Sequence, residues 1–396
     1  MPTFEETLRE RLAALREQHL FRELRRVDSP QSAHIILAGK PLLNFSSNDY
    51  LGLANHPALK AAAIEAVEKF GAGAGAARLV CGSLAPFHEL EDALAAFKGV
   101  EAALTFSTGY AAALGTIPAL VGKDDLLILD RLVHASIVDA ARLSGAKLRV
   151  FDHNDLNDLE KILKWVDQKK AANQKPSPKI LVVTESVFSM DGDAAPLREI
   201  VTLKEKYGAW LMVDEAHATG LYGANRRGLA EELGVSDRIE VQMGTLGKAL
   251  GASGGFIGGS RMLIDTLVNR ARSFIFSTAP VPAAAAATAG IQLVQSDEGE
   301  ALRRGLFDRV AQFRSECRMP NSEFASAIQP LIVGDETQAL EMAGQLRQRK
   351  FFVPAIRYPT VARGSARLRV TLSAAHTRDE VAALTAALGQ IGNQKS

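Results

Sequence analysis

The 396 residues carry 46 Lys and Arg against 45 Asp and Glu, a formal charge of +1, with 47% hydrophobic and 23% charged residues, 32 Gly and 15 Pro. At about 150 residues per domain this length suggests two or three domains, and the profile excludes disorder, collagen and coiled coil. No global field draws the chain to nucleic acid or an anionic membrane, and two cysteines, Cys81 and Cys317, make neither a disulfide framework nor a cysteine zinc site, which fits a reducing cytosol.

The chain opens on residues 4–26, where Phe4, Leu8, Leu12 and Leu15 share one helical face. Charges break the stretch every few residues, so it does not read as an export signal, and the expected location is cytoplasmic. Strands are predicted at 101–106, 125–130, 147–151, 179–184, 209–214 and 239–243. Helices are predicted at 56–70, 84–98, 109–121, 134–143, 155–171 and 197–207, and residues 172–179 read as a polar surface loop. Continuous apolar strands, each followed by a helix, indicate a mostly parallel sheet covered on both faces. Near residue 280 the rhythm changes. The Ala-rich stretch 281–294 is shorter than the ~20 residues of a membrane span and contains Pro282, Gly290 and Gln292. Beyond it come strands at 327–333, 351–356 and 366–371 and a helix at 336–349. The expected division is an N-terminal helical segment 1–45, a large α/β domain 46–280 and a smaller α+β domain 281–396.

Ligands of an open α/β sheet bind outside the carboxyl ends of its strands, so residues that follow strands weigh most. Asp214-Glu215-Ala216-His217 spells the box of a nucleic-acid-dependent ATPase. No P-loop supports it, because Gly244-Thr-Leu-Gly247-Lys248-Ala249 has the wrong spacing and Ala where a metal-binding hydroxyl belongs. Gly251-Ala-Ser253-Gly-Gly255 fits a hydrolase motif, but a strand-like Gly-Phe-Ile-Gly-Gly follows where a nucleophile elbow needs a helix. Gly71-Ala-Gly73-Ala-Gly75 follows a helix and lacks the third glycine of a dinucleotide loop. No HExxH or CxxC occurs, leaving metal hydrolysis without ligands.

Asp214 ends an apolar strand and so faces the ligand edge, a position where acids also cap helices. His217 lies three residues on. Lys248 sits among small and apolar residues, where partial desolvation would lower its pKa and favour the neutral amine of a Schiff base. Thr245 lies near it, and Ser107-Thr108-Gly109-Tyr110 opens a helix after a strand. Hydroxyls and backbone N–H groups placed in this way can cradle a phosphate. Lysine, strand-end carboxylate and cradle together match pyridoxal 5'-phosphate (PLP), whose pyridine nitrogen a carboxylate keeps protonated.

These residues belong to a string of segments over most of the chain that resembles the α-oxoamine synthases of the aminotransferase-like superfamily. The string comprises Asn44 to Leu53 (NFSSNDYLGL), Asp130 to Ser136 (DRLVHAS), Thr184 to Asp193 (TESVFSMDGD), the run into Asp214-Glu-Ala-His217, and the Lys248 loop. Ser326 to Asp335 (SAIQPLIVGD) and Ser365 to His376 (SARLRVTLSAAH) complete it. Those two, with Ala355 to Val361 (AIRYPTV), lean toward the branch that joins L-alanine to a pimeloyl thioester in biotin biosynthesis. Tyr358 and Ala362 stand where that branch leads one to expect Pro, and Ala77 and Cys81 where Ser is common.

The resemblance implies an α/β fold of PLP fold type I, with a mostly parallel central sheet and a smaller α+β C-terminal domain. It implies that Lys248 holds PLP and later acts as acid and base at the substrate Cα, that Asp214 pairs with the pyridine nitrogen, that His217 bonds the ring's phenolic oxygen and that His134 stacks on the ring. Gly109 and Tyr110 would offer backbone donors to the phosphate with the Thr245 hydroxyl, and Thr278 would reach it from the second subunit of a homodimer. Ser189 would lie beside the ring, with Glu185 close. Arg369 would grip the amino-acid carboxylate bidentately, which lysine would not do equally well, and Asn48 would shape that pocket. Arg25, within the basic stretch 22–26, would contact the acyl thioester. Sister synthases using glycine or serine share every catalytic residue, and neither coenzyme A nor acyl carrier protein is favoured as the acyl carrier. No metal, nucleic acid or membrane partner is implied.

Overall fold

The computed structural model describes residues 1–18, 20–172, 178–319 and 324–393, so residues 173–177 of the expected polar loop lie outside the described residues. Seven strands form the central sheet in the order Ala102–Phe106, Gly255–Gly259, Val241–Thr245, Trp210–Asp214, Ile180–Glu185, Leu126–Asp130 and Lys147–Phe151. Neighbours run parallel, except that Gly255–Gly259 is antiparallel to the strands on both its sides.

The apolar strands are continuous in sequence because both faces of the sheet are covered. Leu127, Leu129, Leu181, Val183 and Met212 join the apolar cluster on one face, whereas Ile128, Val182, Leu211 and Val213 join the cluster on the other. Successive side chains of a strand alternate between faces, so a two-sided core needs every position apolar. Thr108 caps the helix Gly109–Leu120, its Oγ1 accepting from the Ala111 N–H. A Cβ at Gly255 would meet the Gly109 Cα at 2.5 Å, so glycine is what lets the antiparallel strand lie against that helix start.

The helical pattern of the N-terminus ends at Glu17. Residues His34–Leu37 and Lys40–Asn44, expected within a helical segment, instead form an antiparallel pair. The strand expected at 351–356 divides in two. Phe351–Phe352 runs parallel to Lys40–Asn44, and Ala355–Ile356 pairs with Ala366–Thr371, which itself pairs with Ile328–Gly334. Pro354 stands between the halves and has no N–H to give a ladder, so the chain changes sheets there. Helix Val281–Gln295 packs on helices Pro57–Phe70 and Ala85–Lys98. One apolar cluster holds Phe45, Leu53, Leu250, Val281, Ile291, Leu368 and Leu384, and so continues through both sides of residue 280. Among the described residues no helix is long and apolar enough to cross a membrane.

Candidate active site

Strand pairing in register sets Glu185 beside Asp214 and Asp214 beside Met243, so these strand ends share one edge of the sheet. Asp214 is buried, and its Oδ1 accepts from the Ala216 N–H at 2.9 Å. This tight turn returns the chain so that His217, also buried, lies over the sheet edge. The His217 Nε2 lies 2.7 Å from the Lys248 Nζ, and its Nδ1 lies 2.5 Å from the Tyr50 hydroxyl.

Burial governs the charges here. It raises the Asp214 carboxyl above its ordinary pKa, against the nearby Lys248 cation. It lowers Lys248 to about 8, with Asp214 and Glu185 opposing the shift and Arg369 adding to it. His217 is held well below the ordinary histidine range, first by burial and then by the charges of Lys248 and Arg369. Glu185 is pushed well up by burial and by Asp214, and its Oε1 has no hydrogen-bond partner among the described residues.

His134 caps the helix Ala135–Ser144, its Nδ1 accepting from the Ser136 N–H at 3.2 Å. Its side chain is open to solvent, yet the surrounding protein lowers its pKa, with Asp214 working against that shift and Lys248 with it.

Arg369 enters from the opposite side, on strand Ala366–Thr371. The buried guanidinium donates from Nε to the Ser189 carbonyl at 2.7 Å, from Nη1 to Thr371 Oγ1 at 2.9 Å and from Nη2 to Asn48 Oδ1 at 3.2 Å. Three acceptors on three different nitrogens fix its plane.

At the helix start, a Cβ on Gly109 would lie 3.7 Å from the Thr245 Cβ, so the first-turn N–H groups and that residue adjoin. The Thr245 hydroxyl donates to the Gly254 carbonyl at 2.9 Å and accepts from the Gly247 N–H at 3.3 Å. The Tyr110 side chain is exposed and donates to Asp139 at 2.7 Å.

Two expected site residues lie apart from this cluster within the chain. The Thr278 hydroxyl donates to the Ala76 carbonyl at 2.9 Å, and no contact among the described residues joins it to Lys248 or Asp214. Arg25 is exposed, with its Cζ 6.0 Å from the centre of the Phe352 ring. Sequence reasoning missed Tyr50, although it lies inside the quoted segment at Asn44. No periodicity marks it, and its contact with His217 spans 167 positions.

The donor set fits PLP. A half-buried amine brought toward neutrality can hold an aldehyde, the buried carboxylate suits a protonated pyridine nitrogen, and a helix N-terminus with a hydroxyl suits a phosphate. Glu185 keeps a buried oxygen unpartnered beside them.

The profile of the aminotransferase class I and II family matches residues 40–388. The 8-amino-7-oxononanoate synthase of Geobacter sulfurreducens is 47% identical over 387 residues, covering 97% of each chain. That of Anaeromyxobacter sp. strain K is 48% identical, covering 96% of this chain and 94% of its own. Among solved structures, serine palmitoyltransferase from S. paucimobilis, with bound PLP and myriocin, overlays with a TM-score of 0.89 at 30% identity, covering 98% of this chain and 97% of that one. The 8-amino-7-oxononanoate synthase of Francisella tularensis overlays with a TM-score of 0.73 at 26% identity, covering 90% and 99%. Backbone likeness therefore does not separate the branches, whereas the curated 8-amino-7-oxononanoate synthases stand at 47–48% identity against 30% for the serine palmitoyltransferase. Because the matched residues run through Asp214, Lys248 and Arg369 together, the chain belongs to the aminotransferase class I and II family and, within it, to the 8-amino-7-oxononanoate synthases.

Proposed function

We propose that this chain catalyses the PLP-dependent condensation of L-alanine with a pimeloyl thioester, releasing CO₂ and the free thiol carrier and giving 8-amino-7-oxononanoate for biotin biosynthesis. The observation that carries the reading is the half-buried contact of Lys248 with the buried His217, beside the buried Asp214. When bound, PLP supplies an electron sink for the charge that develops at the substrate Cα.

Lys248, with its pKa near 8, is partly neutral at physiological pH and so can hold the cofactor's aldehyde carbon. The same amine would take the Cα proton of the bound amino acid and later return one. Asp214 would hold the pyridine nitrogen in its protonated form, and His217 would donate to the phenolic oxygen. His134 would stack on the ring, and Ser189 would lie beside it. Gly109 and Tyr110, through their backbone N–H groups, and Thr245, through its hydroxyl, would bind the phosphate. Arg369 grips the carboxylate of L-alanine, and Asn48 holds Arg369 in place.

The Cα carbon bonds to the thioester carbonyl as the C–S bond breaks and the thiolate leaves. The carboxylate then departs as CO₂, and a proton replaces it. In this reading two copies assemble, Thr278 of a second copy reaches the phosphate, Arg25 contacts the acyl thioester, and residues 46–280 form the cofactor-binding body against 281–396 in a cytoplasmic enzyme.

The test supplies purified protein and PLP with pimeloyl-CoA or pimeloyl-acyl carrier protein and, in turn, L-alanine, glycine and L-serine, with products read by mass spectrometry. The 8-amino-7-oxononanoate mass with L-alanine is the expected result. A product from glycine or serine with none from L-alanine would overturn the substrate while keeping the chemistry.

A further inference from the structure

One cluster near the site has no role in the chemistry above. His153 follows strand Lys147–Phe151, and both its ring nitrogens face carboxylates. Its Nδ1 lies 3.0 Å from Asp130 Oδ1, and its Nε2 lies 2.8 Å from Asp193 Oδ2. Ionised carboxylates only accept, so two such contacts ask for an N–H on each nitrogen, which an imidazole has only as a cation. Asp130 is buried at a strand end and also accepts from the N–H groups of Leu132 and Asn154. Burial opposes a charge on His153, but hydrogen bonds to Asp130 and Asp193 and their charges prevail and raise its pKa to about 10. The edge of its ring meets the face of Phe188 at 4.4 Å between centres.

Asp193 and Phe188 belong to one turn, running from Ser186 to Ala194 after strand Ile180–Glu185. Phe188 N–H donates to the Asp193 carbonyl, Gly192 N–H donates to the Phe188 carbonyl, and Val187 bridges to Ala194. The opposite side of this turn faces the C-terminal sheet. The Ser189 carbonyl accepts from Arg369, and Arg367 donates to the Met190 carbonyl at 3.2 Å and to Asp191 at 2.5 Å. Gly192 has φ +69°, and a Cβ there would meet the Ile328 carbonyl oxygen at 2.4 Å, so the turn is wedged between two sheets.

We propose that His153 is a positioning residue for the amino-acid carboxylate: held as a cation between Asp130 and Asp193, it fixes the turn whose Ser189 carbonyl aims the Arg369 guanidinium. The inference rests on the reading of Arg369 as the carboxylate grip. Among the described residues, the hydrogen bonds of His153 reach Arg369 through Asp193 and the turn that carries Ser189. A structural role alone would lower stability without regard to Arg369.

The experiment titrates holoenzyme with L-alanine and follows the cofactor's visible absorption in the native protein, His153→Gln, Arg369→Lys and the double variant. For His153→Gln the dissociation constant of L-alanine is expected to rise about tenfold, by more than kcat falls. In the Arg369→Lys background the same change is expected to add less than twofold, because the aim of the guanidinium is already lost. Equal rises in both backgrounds, or no rise in a folded His153→Gln holoenzyme, would overturn the proposal. Asp193→Asn, which keeps the shape of the side chain and removes the charge, provides a second variant and is expected to show the same dependence on Arg369. If the native band answers only to glycine or serine, the substrate reading fails, while the same cycle run with that amino acid still decides the role of His153.

Discussion

The Tyr50 hydroxyl and the His217 imidazole are joined at 2.5 Å, and the other nitrogen of that ring meets Lys248 at 2.7 Å. Burial, set against the charge of Arg369, raises the Tyr50 hydroxyl to about 12, while burial holds His217 well below its ordinary pKa, so both stay neutral across the physiological range. The charge state of Lys248 then decides the proton positions between them. An ammonium donates to Nε2, leaving Nδ1–H to donate to the Tyr50 oxygen. A neutral amine can accept from Nε2–H, and the tyrosine then donates to Nδ1.

Tyr50→Phe removes the only side-chain partner of a buried ring nitrogen among the described residues. An unsatisfied buried group costs about 1–3 kcal/mol, and in the transition state that corresponds to a loss of roughly fivefold to 150-fold in kcat/KM. Steady-state rates with L-alanine as the varied substrate check it. A loss below twofold in a folded variant would show that the tyrosine does not support His217.

Lys248→Ala is expected to abolish covalent retention of PLP and to lower turnover at least a thousandfold. The amine near pKa 8 is the nucleophile closest to Asp214 and His217, and alanine supplies none. Dialysis followed by a visible spectrum reads retention directly. A variant that keeps both the band and the turnover would remove Lys248 from the chemistry.

The legible parts of this molecule are those where local sequence and tertiary demand coincide. Strands such as Ile180–Glu185 and Leu126–Asp130 announce themselves because every position is buried. Asp214 and Lys248 were found because the ends of parallel strands are where a sheet opens to ligands. Other features depend on distant partners. Lys40–Asn44 is half exposed and short, and it needs Phe351–Phe352 beside it. Gly255–Gly259 reads as a strand, but its direction is set only by pairing with Ala102–Phe106 and Val241–Thr245. Tyr50 shares a motif with Asn48, yet its value to His217 exists only in three dimensions.

His376 ties the N-terminal strand pair to the C-terminal sheet and gives the fold an acid limit. Its Nδ1 accepts from the Ser373 N–H at 3.0 Å, its Nε2 lies 3.0 Å from the Asn44 carbonyl, and its ring stacks on Phe45 at 4.1 Å. Those partners require the neutral form, and burial lowers the pKa to about 4. The unfolded chain takes up this proton near 6.5, before the folded one does. The resulting stability is complete above about 6.5 and is lost as pH falls toward 4. Denaturant midpoints at pH 7 and pH 4.5 are expected to differ less for His376→Gln than for the native chain. An identical difference in both would assign the acid loss elsewhere.

Behind the Asp214 turn, Lys98 and Glu215 form an ion pair at 2.5 Å with side chains 1% exposed on both sides. Lys98 also donates to the Arg227 carbonyl, and Glu215 accepts from the Ala230 N–H at 2.9 Å, so the pair anchors the residue that follows Asp214 in the chain. Gly228 passes so near that a Cβ there would meet the Glu215 carboxylate at 2.5 Å. Removing one member leaves a buried charge without its partner, which costs about 3–5 kcal/mol, whereas replacing both with apolar groups of similar size is far milder. Lys98→Met is therefore expected to shift the urea midpoint strongly downward and to weaken PLP retention, because the Asp214 turn loses its anchor. Lys98→Met with Glu215→Leu is expected to recover most of the stability but not all, since the Ala230 N–H then lacks its acceptor. If the single variant unfolds at the native midpoint, the pair contributes nothing to the position of Asp214.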